Sequence, residues 1–154
     1  MKKFIITPAT LLIGTMLFLT ACSKYSPTDT STSTTVTPAT LTTALTSGTW
    51  ILSSFVQRTE DKTSKFADYV FVFAANGTVT ATSKGVETQG TWSYTPAVTY
   101  YGSTSKSAIA LNLGTSAPLD LLTKTWNFVS VNSTTLKVDS PELAEGEHVQ
   151  FSKK

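Results

Sequence analysis

Few residues of this chain are suited to catalytic or metal chemistry. Cys22 is the single cysteine and His148 is the single histidine. A metal site needs several His, Cys or carboxylate ligands, and the sequence places only Glu142, Glu145 and Glu147 near His148. Alternation along the strand around His148 points its ring outward, so we expect a solvated side chain. The pattern therefore predicts no metal site and no cofactor.

Sequence signatures of catalysis are also missing. The chain contains no Gly-x-Ser-x-Gly motif and no glycine-rich phosphate loop. A triad built from His148, a serine and an acid stays open, but nothing in the spacing favours it. We therefore expect a protein that is not an enzyme, because no acid, base and nucleophile converge.

The N-terminal residues look like a secretory leader. Lys2 and Lys3 precede an apolar run over about residues 11–19, which is too short for a membrane-spanning helix. The run ends in Leu19-Thr20-Ala21-Cys22, which resembles the bacterial lipobox, in which the cysteine is acylated and becomes residue one after cleavage. The resemblance implies a lipoprotein signal peptide over residues 1–21 and a lipidated Cys22. The alternative is a signal peptide followed by an unmodified cysteine.

The leader also predicts where the protein resides. Two or more acyl chains hold a protein on a membrane, so we expect membrane lipid as a partner through Cys22. Residues 23–25 lack the aspartate of an inner-membrane retention signal and the acidic run of a surface-export signal. By this resemblance, the protein is expected in the cell envelope, on the outer membrane facing the periplasm. Cleavage leaves ten basic and ten acidic residues, so nucleic acid is not an expected partner.

A segment rich in serine and threonine separates the leader from the rest of the chain. Fourteen of the twenty-two residues from 26 to 47 are Ser or Thr, and such a composition buries too little apolar surface to offset chain entropy. We therefore expect residues 22–46 to form the lipidated cysteine and a flexible tether, followed by one domain over 47–154. The alternative is a poorly ordered first strand, with Ala44 and Leu45 at the edge of the domain.

The pattern after residue 47 is that of an all-β domain. Runs of β-branched and aromatic residues alternate with polar residues and are separated by turn-rich stretches. These runs predict eight strands. One follows the turn at 75–77, and the other seven are 50–56, 69–73, 86–94, 108–113, 125–131, 136–138 and 148–151. Only residues 118–122 look helical. Eight sequential antiparallel strands form a barrel or a sandwich, and sequential hairpins favour the barrel.

The turn at residues 75–77 decides which side chains face the interior. A three-residue loop of Ala75, Asn76 and Gly77, with the glycine in the left-handed conformation, sets Phe73 opposite Val79. A two-residue loop would instead place aromatic residues opposite threonines. We expect the three-residue loop.

Two of the three Thr-Trp pairs, together with one hairpin, carry a resemblance to a known group of proteins. Gly48-Thr49-Trp50, the F-x-x-N-G-T-V hairpin at 73–79 and Gly90-Thr91-Trp92 resemble the small lipocalin-like lipoproteins of Bacteroidetes. The resemblance covers about residues 47–152. It implies an eight-stranded up-and-down barrel in which the first tryptophan packs across the closed end.

The tryptophans are candidates either for an ordinary core or for a ligand pocket. An eight-stranded barrel is just wide enough to be filled by side chains or to hold one small ligand. Aromatic residues would project inward, with Thr88 and Ser130 on the same faces. The candidate ligand-pocket residues are Trp50, Phe71, Phe73, Trp92, Tyr94, Trp126 and Phe128.

A second candidate surface lies between the strands at 86–94 and 108–113. This polar loop contains Tyr100 and Tyr101, and adjacent tyrosines suit protein or glycan contacts. The alternative is that one of them covers the barrel mouth.

Two functions follow from these patterns. The first is a lipid-anchored barrel that binds a small apolar or amphiphilic molecule. The alternative is a protein-binding, inhibitory or structural module of the envelope, with a solid core and a working surface at loop 95–106 or turn 58–66. An internal space of roughly 300 Å³ would distinguish a carrier from a solid module.

Overall fold

A computed structural model describes residues 36–154. The signal peptide predicted for residues 1–21, the lipidated Cys22 and most of the predicted tether lie outside this range. The described chain contains one α-helix, eleven strands and two 3₁₀ helices. In chain order they are α1 (Pro38–Thr46), β1 (Thr49–Gln57), β2 (Glu60–Asp61), a 3₁₀ helix (Thr63–Phe66), β3 (Tyr69–Phe73), β4 (Thr78–Ser83), β5 (Val86–Thr95), β6 (Thr99–Tyr100), β7 (Ser103–Thr104), β8 (Ala108–Asn112), a second 3₁₀ helix (Leu119–Leu122), β9 (Lys124–Val131), β10 (Thr135–Asp139) and β11 (Glu147–Lys153).

Eight of these strands form a closed antiparallel barrel. Each long strand pairs with the next one along the chain, in the order β1, β3, β4, β5, β8, β9, β10 and β11. The sheet closes because β1 pairs with β11, from Trp50 opposite Lys153 to Gln57 opposite Glu147. The predicted up-and-down barrel is confirmed, and the predicted strand ends lie within two residues of the observed ones.

The hairpin between β3 and β4 has the predicted register. Phe73 lies opposite Val79 and Phe71 opposite Ala81. Gly77 has φ of +85°, and the Asn76 side chain accepts a hydrogen bond from the Thr78 N–H. Because the loop has three residues, both phenylalanines face the interior and the threonines of β4 do not oppose them.

The helix α1 corrects the predicted tether. Residues 38–46 are not extended: the Thr37 hydroxyl accepts the Thr40 N–H at the helix N-terminus, and Pro38 occupies the first turn. Leu41 and Leu45, four residues apart on one face, are fully buried. Their burial against the barrel outweighs the weak helix propensity of the threonines. The domain therefore includes α1 and begins before residue 47.

The two ends of the barrel differ in what lies on them, because connections alternate between ends in an up-and-down barrel. We call the end that carries α1 the proximal end. It also carries the connections 74–77, 96–107 and 132–134 and the last residues, 153–154. The distal end carries the connections 58–68, 84–85, 113–123 and 140–146.

Buried side chains cover both ends of the interior. At the proximal end these are Leu41 and Leu45 of α1. At the distal end, Phe66, Leu119 and Leu122 of the two 3₁₀ helices are at most 3% exposed. The segment predicted as helical at 118–122 is thus the second 3₁₀ helix, and it packs as part of the core.

Candidate functional site

The seven predicted pocket residues all belong to the barrel core or pack against it. Trp50, Phe71, Phe73, Trp92 and Trp126 are buried. Tyr94 and Phe128 are half-buried against the same cluster. The structure therefore brings the seven together as one aromatic interior.

These rings contact one another as well as the barrel wall. Phe73 and Trp92 meet edge to face with ring centroids 5.9 Å apart, and Tyr94 and Phe128 do so at 5.6 Å. Such separations fall in the range of favourable aromatic pairs. The rings thus pack against one another as the side chains of a core do.

Three further phenylalanines complete the aromatic interior and were not predicted. Phe151 meets Phe71 at 5.3 Å, and Phe55 lies between Phe66 at 5.8 Å and Trp126 at 6.2 Å. Strict alternation from Trp50 would turn Phe55 outward. A register shift between Leu52 and Ser54 turns it inward, and a strand pattern alone does not reveal such a bulge.

All three tryptophans use the indole N–H to hold a segment outside the strands. Trp50 donates to the Leu45 carbonyl of α1 at 2.8 Å. Trp126 donates to the Leu122 carbonyl of the second 3₁₀ helix at 3.0 Å. Trp92 donates to the Ala74 carbonyl in the β3–β4 turn at 2.9 Å. These bonds give each Thr-Trp pair a structural role at one end of the barrel.

One predicted lining residue faces away from the interior. Ser130 pairs with Lys137, whereas Phe128 pairs with the next residue, Val138. Val129 is therefore an extra residue in β9, and the bulge turns Ser130 to the exposed side. Thr88, the other expected hydroxyl, is half-buried opposite Ala81.

The main polar cluster lies at the distal end. Glu147, only 3% exposed, accepts hydrogen bonds from Gln57 Nε2 at 2.8 Å and from Lys124 Nζ at 2.6 Å. Lys124 Nζ also lies 3.1 Å from Glu145 Oε2, and Ser140 donates to the same oxygen. The buried carboxylate of Glu147 is tolerated because Gln57 and Lys124 each donate a hydrogen bond to it.

The charges in this cluster change one another's protonation. Burial would lower the pKa of Lys124, but hydrogen bonds to Glu147 and Glu145 outweigh it and raise that pKa. Hydrogen bonds from Ser140 and then Lys124 lower the pKa of Glu145. Both shifts favour the charged forms, which is the behaviour of a structural ion pair rather than of a proton-transferring site.

His148 lies on the outer face of the barrel, as the alternation predicted. Its Nδ1 is 2.8 Å from Asp139 Oδ1; the His148 side chain is 67% exposed and that of Asp139 41%. The neighbouring Glu147 faces inward, so the two residues do not share a site. Within residues 36–154, no three His, Cys, Asp or Glu side chains are grouped to hold a metal ion.

Surface grooves run along the outside of the barrel. One groove of about 340 Å³ crosses the outer face of β9 to β11, and its walls include Asn127, Val129, Asp139 and His148. A second groove of about 340 Å³ lies between β5, β8 and β9. Of the seven predicted pocket residues, Phe128 lines the first groove and Trp92 the second. The other five line neither groove: Trp50, Phe71, Phe73, Tyr94 and Trp126.

Among residues 36–154, the most exposed aromatic side chains lie at the tip of a small hairpin formed by β6 and β7, residues 99–104. Tyr101 is 90% exposed and Tyr100 73%, and their ring centroids are 4.3 Å apart. Tyr101 has φ of +47° in the turn, and the Ser105 N–H donates to the Val98 carbonyl at the base. Neither tyrosine covers the barrel mouth, because α1 occupies it. We call residues 98–105 the tyrosine hairpin.

The described chain lacks a helix that meets the length and hydropathy needed to cross a membrane, and this finding concerns residues 36–154 alone.

These features define a closed, antiparallel, eight-stranded, lipocalin-like β-barrel. No family model matches the sequence, and no curated protein matches it. Of the solved structures, a DUF4847 family protein from Bacteroides vulgatus ATCC 8482 is similar to this chain, with 16% sequence identity and a TM-score of 0.47. The match covers 71% of this chain and 94% of the other.

Proposed function

We propose that this protein is a lipid-anchored, non-catalytic barrel of the cell envelope that binds through its outer surface. The observation that carries the proposal is the contrast between interior and exterior. The interior holds a cluster of the protein's own buried aromatic side chains and is covered at both ends, whereas two tyrosines are exposed on one hairpin. This contrast supports a solid module over a carrier.

The lipid anchor is supported by the sequence before the barrel. Two lysines, a short apolar run and Leu19-Thr20-Ala21-Cys22 have the order of a lipoprotein leader. Acylation of Cys22 would hold the barrel at a membrane surface without a membrane-spanning segment.

The tyrosine hairpin is the surface best suited to contact. Tyrosine combines a large apolar ring with a hydroxyl at low cost in conformational entropy. Val98, 61% exposed, adds apolar surface beside the two rings. The turn at 58–66, the other predicted working surface, instead carries Phe66 into the core and leaves charged residues outside.

A second candidate function is binding of an amphiphile at the proximal mouth. The observation that favours it is that α1 covers this mouth without being part of the sheet. Tyr94 donates from its hydroxyl to the Val36 carbonyl at 3.1 Å, so it lies beside the start of the helix segment. A ligand that entered at this mouth would have to displace Leu41 and Leu45 to reach the buried rings of the interior.

Native mass spectrometry of the protein purified from its own envelope tests the proposal. We expect the mass of the chain from Cys22 onward plus covalent acyl groups, with no further mass lost on unfolding and no uptake of added fatty acid. The Cys22→Ala variant serves as control and should lack the acyl mass. A second mass released on unfolding would favour the carrier, and an unmodified Cys22 would overturn the anchor.

A further inference from the structure

We infer that the tyrosine hairpin contacts the anionic surface of the bilayer itself, so that the barrel stands on the membrane on its proximal end. The inference rests on the proposed lipid anchor and adds to it an orientation. Charge, aromatic exposure and chain path each support it.

Charge separates the two ends of the barrel. The proximal end carries Lys106, Lys153 and Lys154 and no aspartate or glutamate side chain among its described residues. The distal connections carry four cations and six carboxylates, the latter being Glu60, Asp61, Asp68, Asp120, Glu142 and Glu145. An anionic lipid surface attracts lysines near it and repels carboxylates. Lys106 shares the groove over β9 to β11 with Glu142 of a distal connection. The complementarity of the proximal end to such a surface therefore comes mainly from Lys153, Lys154 and the lack of carboxylate side chains among its described residues.

The exposed aromatic residues lie on that same end. Tyrosine is enriched at membrane–water interfaces, where its ring lies among the headgroups and its hydroxyl faces water. Tyr100 and Tyr101 form the tip of the loop at 96–107, with Lys106 following in the same loop. Rings at the tip and a lysine behind them would let the hairpin enter the headgroup layer while its cation stays near the phosphates.

The described chain enters the barrel at the proximal end. The described residues begin at Val36, whose carbonyl accepts the Tyr94 hydroxyl just before the loop that holds the hairpin. Residues 23–35 join Val36 to Cys22 and span at most about 45 Å when fully extended. A lipid on Cys22 would therefore pull on the proximal end, where the lysines and tyrosines lie.

The distal end supplies a contrasting apolar residue. Leu143 is 93% exposed, but its loop at 140–146 also contains Glu142 and Glu145. Carboxylates beside it would oppose approach to an anionic bilayer. Leu143 therefore provides a control position with an exposed apolar side chain and carboxylates in its own loop, although Lys106 lines the same outer groove.

The test uses the chain from Cys22 onward, which retains the whole described barrel. Its single thiol is coupled to a maleimide lipid in vesicles of phosphatidylethanolamine and phosphatidylglycerol, so that anchoring does not depend on acylation by a cell. Hydrogen–deuterium exchange then compares coupled and uncoupled protein. We expect slower exchange at 96–107 in the coupled protein, unchanged exchange at 140–146, and loss of the slowing in Tyr100→Ser/Tyr101→Ser but not in Leu143→Ser.

A second measurement tests the charge contribution without any anchor. Sedimentation of the Cys22→Ser chain with the same vesicles should show weak binding that falls about fivefold on Lys106→Gln and disappears with phosphatidylcholine alone. Equal exchange at 96–107 with and without coupling would overturn the inference, and so would slowing at 140–146 instead. Slowing that appears only when envelope proteins are added would assign the hairpin to a protein partner. Failure of acylation in cells would leave these results intact and contradict the anchor alone.

Discussion

The indole of Trp50 donates a 2.8 Å hydrogen bond to the carbonyl oxygen of Leu45, inside the protein. The bond joins the first residues of the barrel to the end of α1, and Lys153 lies over the same indole ring at 5.5 Å. Trp50 thus contacts both the helix that precedes the barrel and the strand that closes it. The helix is for this reason part of the folded domain.

The first prediction concerns α1. Leu45→Ala should lower the free energy of unfolding by about 2–5 kcal/mol, because it leaves a cavity under the helix. Thr43→Ala, on the exposed face of α1, should change it by less than about 0.5 kcal/mol. Urea unfolding followed by tryptophan fluorescence measures both. Equal stability of Leu45→Ala and the parent would mean that α1 does not pack as described.

Sequence alternation was sufficient for the barrel but not for α1. Strand positions and the β3–β4 register follow from local patterns, and the structure confirms them. The signals for α1 were present as Thr37, Pro38 and two leucines four residues apart. The threonine-rich composition nevertheless predicted an extended tether, because a segment dominated by threonine does not by itself form a stable helix.

The finer features of the interior depend on contacts that no local pattern contains. The carbonyl partners of the three indoles come from α1, a turn and a 3₁₀ helix. Bulges at Ser53 and Val129 reverse which of the following side chains face inward. Strict alternation therefore predicts the wrong face of the strand for Phe55 and for Ser130. Pairing of β1 with β11 joins residues about a hundred positions apart. The burial of Glu147 depends on this pairing, so local sequence patterns could not predict it.

A second prediction separates core aromatics from exposed ones. Trp92→Ala should destabilise the protein by about 3–5 kcal/mol through loss of a buried indole. Trp92→Phe should cost about 1–3 kcal/mol, since it removes the indole hydrogen bond and part of the buried ring and leaves the Ala74 carbonyl with only the Gly77 N–H. Tyr101→Ala should change stability by less than about 0.5 kcal/mol. Thermal and urea unfolding measure the stability of the three variants. If Tyr101→Ala were as destabilising as Trp92→Ala, these assignments would be contradicted.

A third prediction concerns Gly90, which precedes Trp92 on β5. A Cβ atom at this position would lie 2.1 Å from the Asn112 carbonyl oxygen, a backbone atom that cannot move without displacing β8. Gly90→Ala should therefore destabilise the barrel by about 1–3 kcal/mol or more through overpacking. The neighbouring Thr91→Ala, exposed on the same strand, should be close to neutral. A Gly90→Ala protein as stable as the parent would show that β5 and β8 are farther apart than the structure has them.

The last prediction is a dependence of stability on pH that originates at the distal end. The folded pKa of Glu145 lies below its usual value of 4.5, because Ser140 and Lys124 donate to it. Its contribution to stability is thus fully present above about pH 4.5 and is lost as the pH falls through the lower folded pKa. Lys124 has a folded pKa above 10.5, since the hydrogen bonds to Glu147 and Glu145 outweigh burial. Its contribution is present below that value and is lost as the pH rises through the folded pKa. The urea midpoint should therefore be highest between these limits. Glu145→Gln should reduce the loss of stability on the acid side of the profile. The acid dependence that remains includes a contribution from Asp61, whose pKa is lowered by hydrogen bonds from Thr63. A profile with the same acid slope in Glu145→Gln and the parent would show that the Ser140–Glu145–Lys124 contacts do not persist in solution.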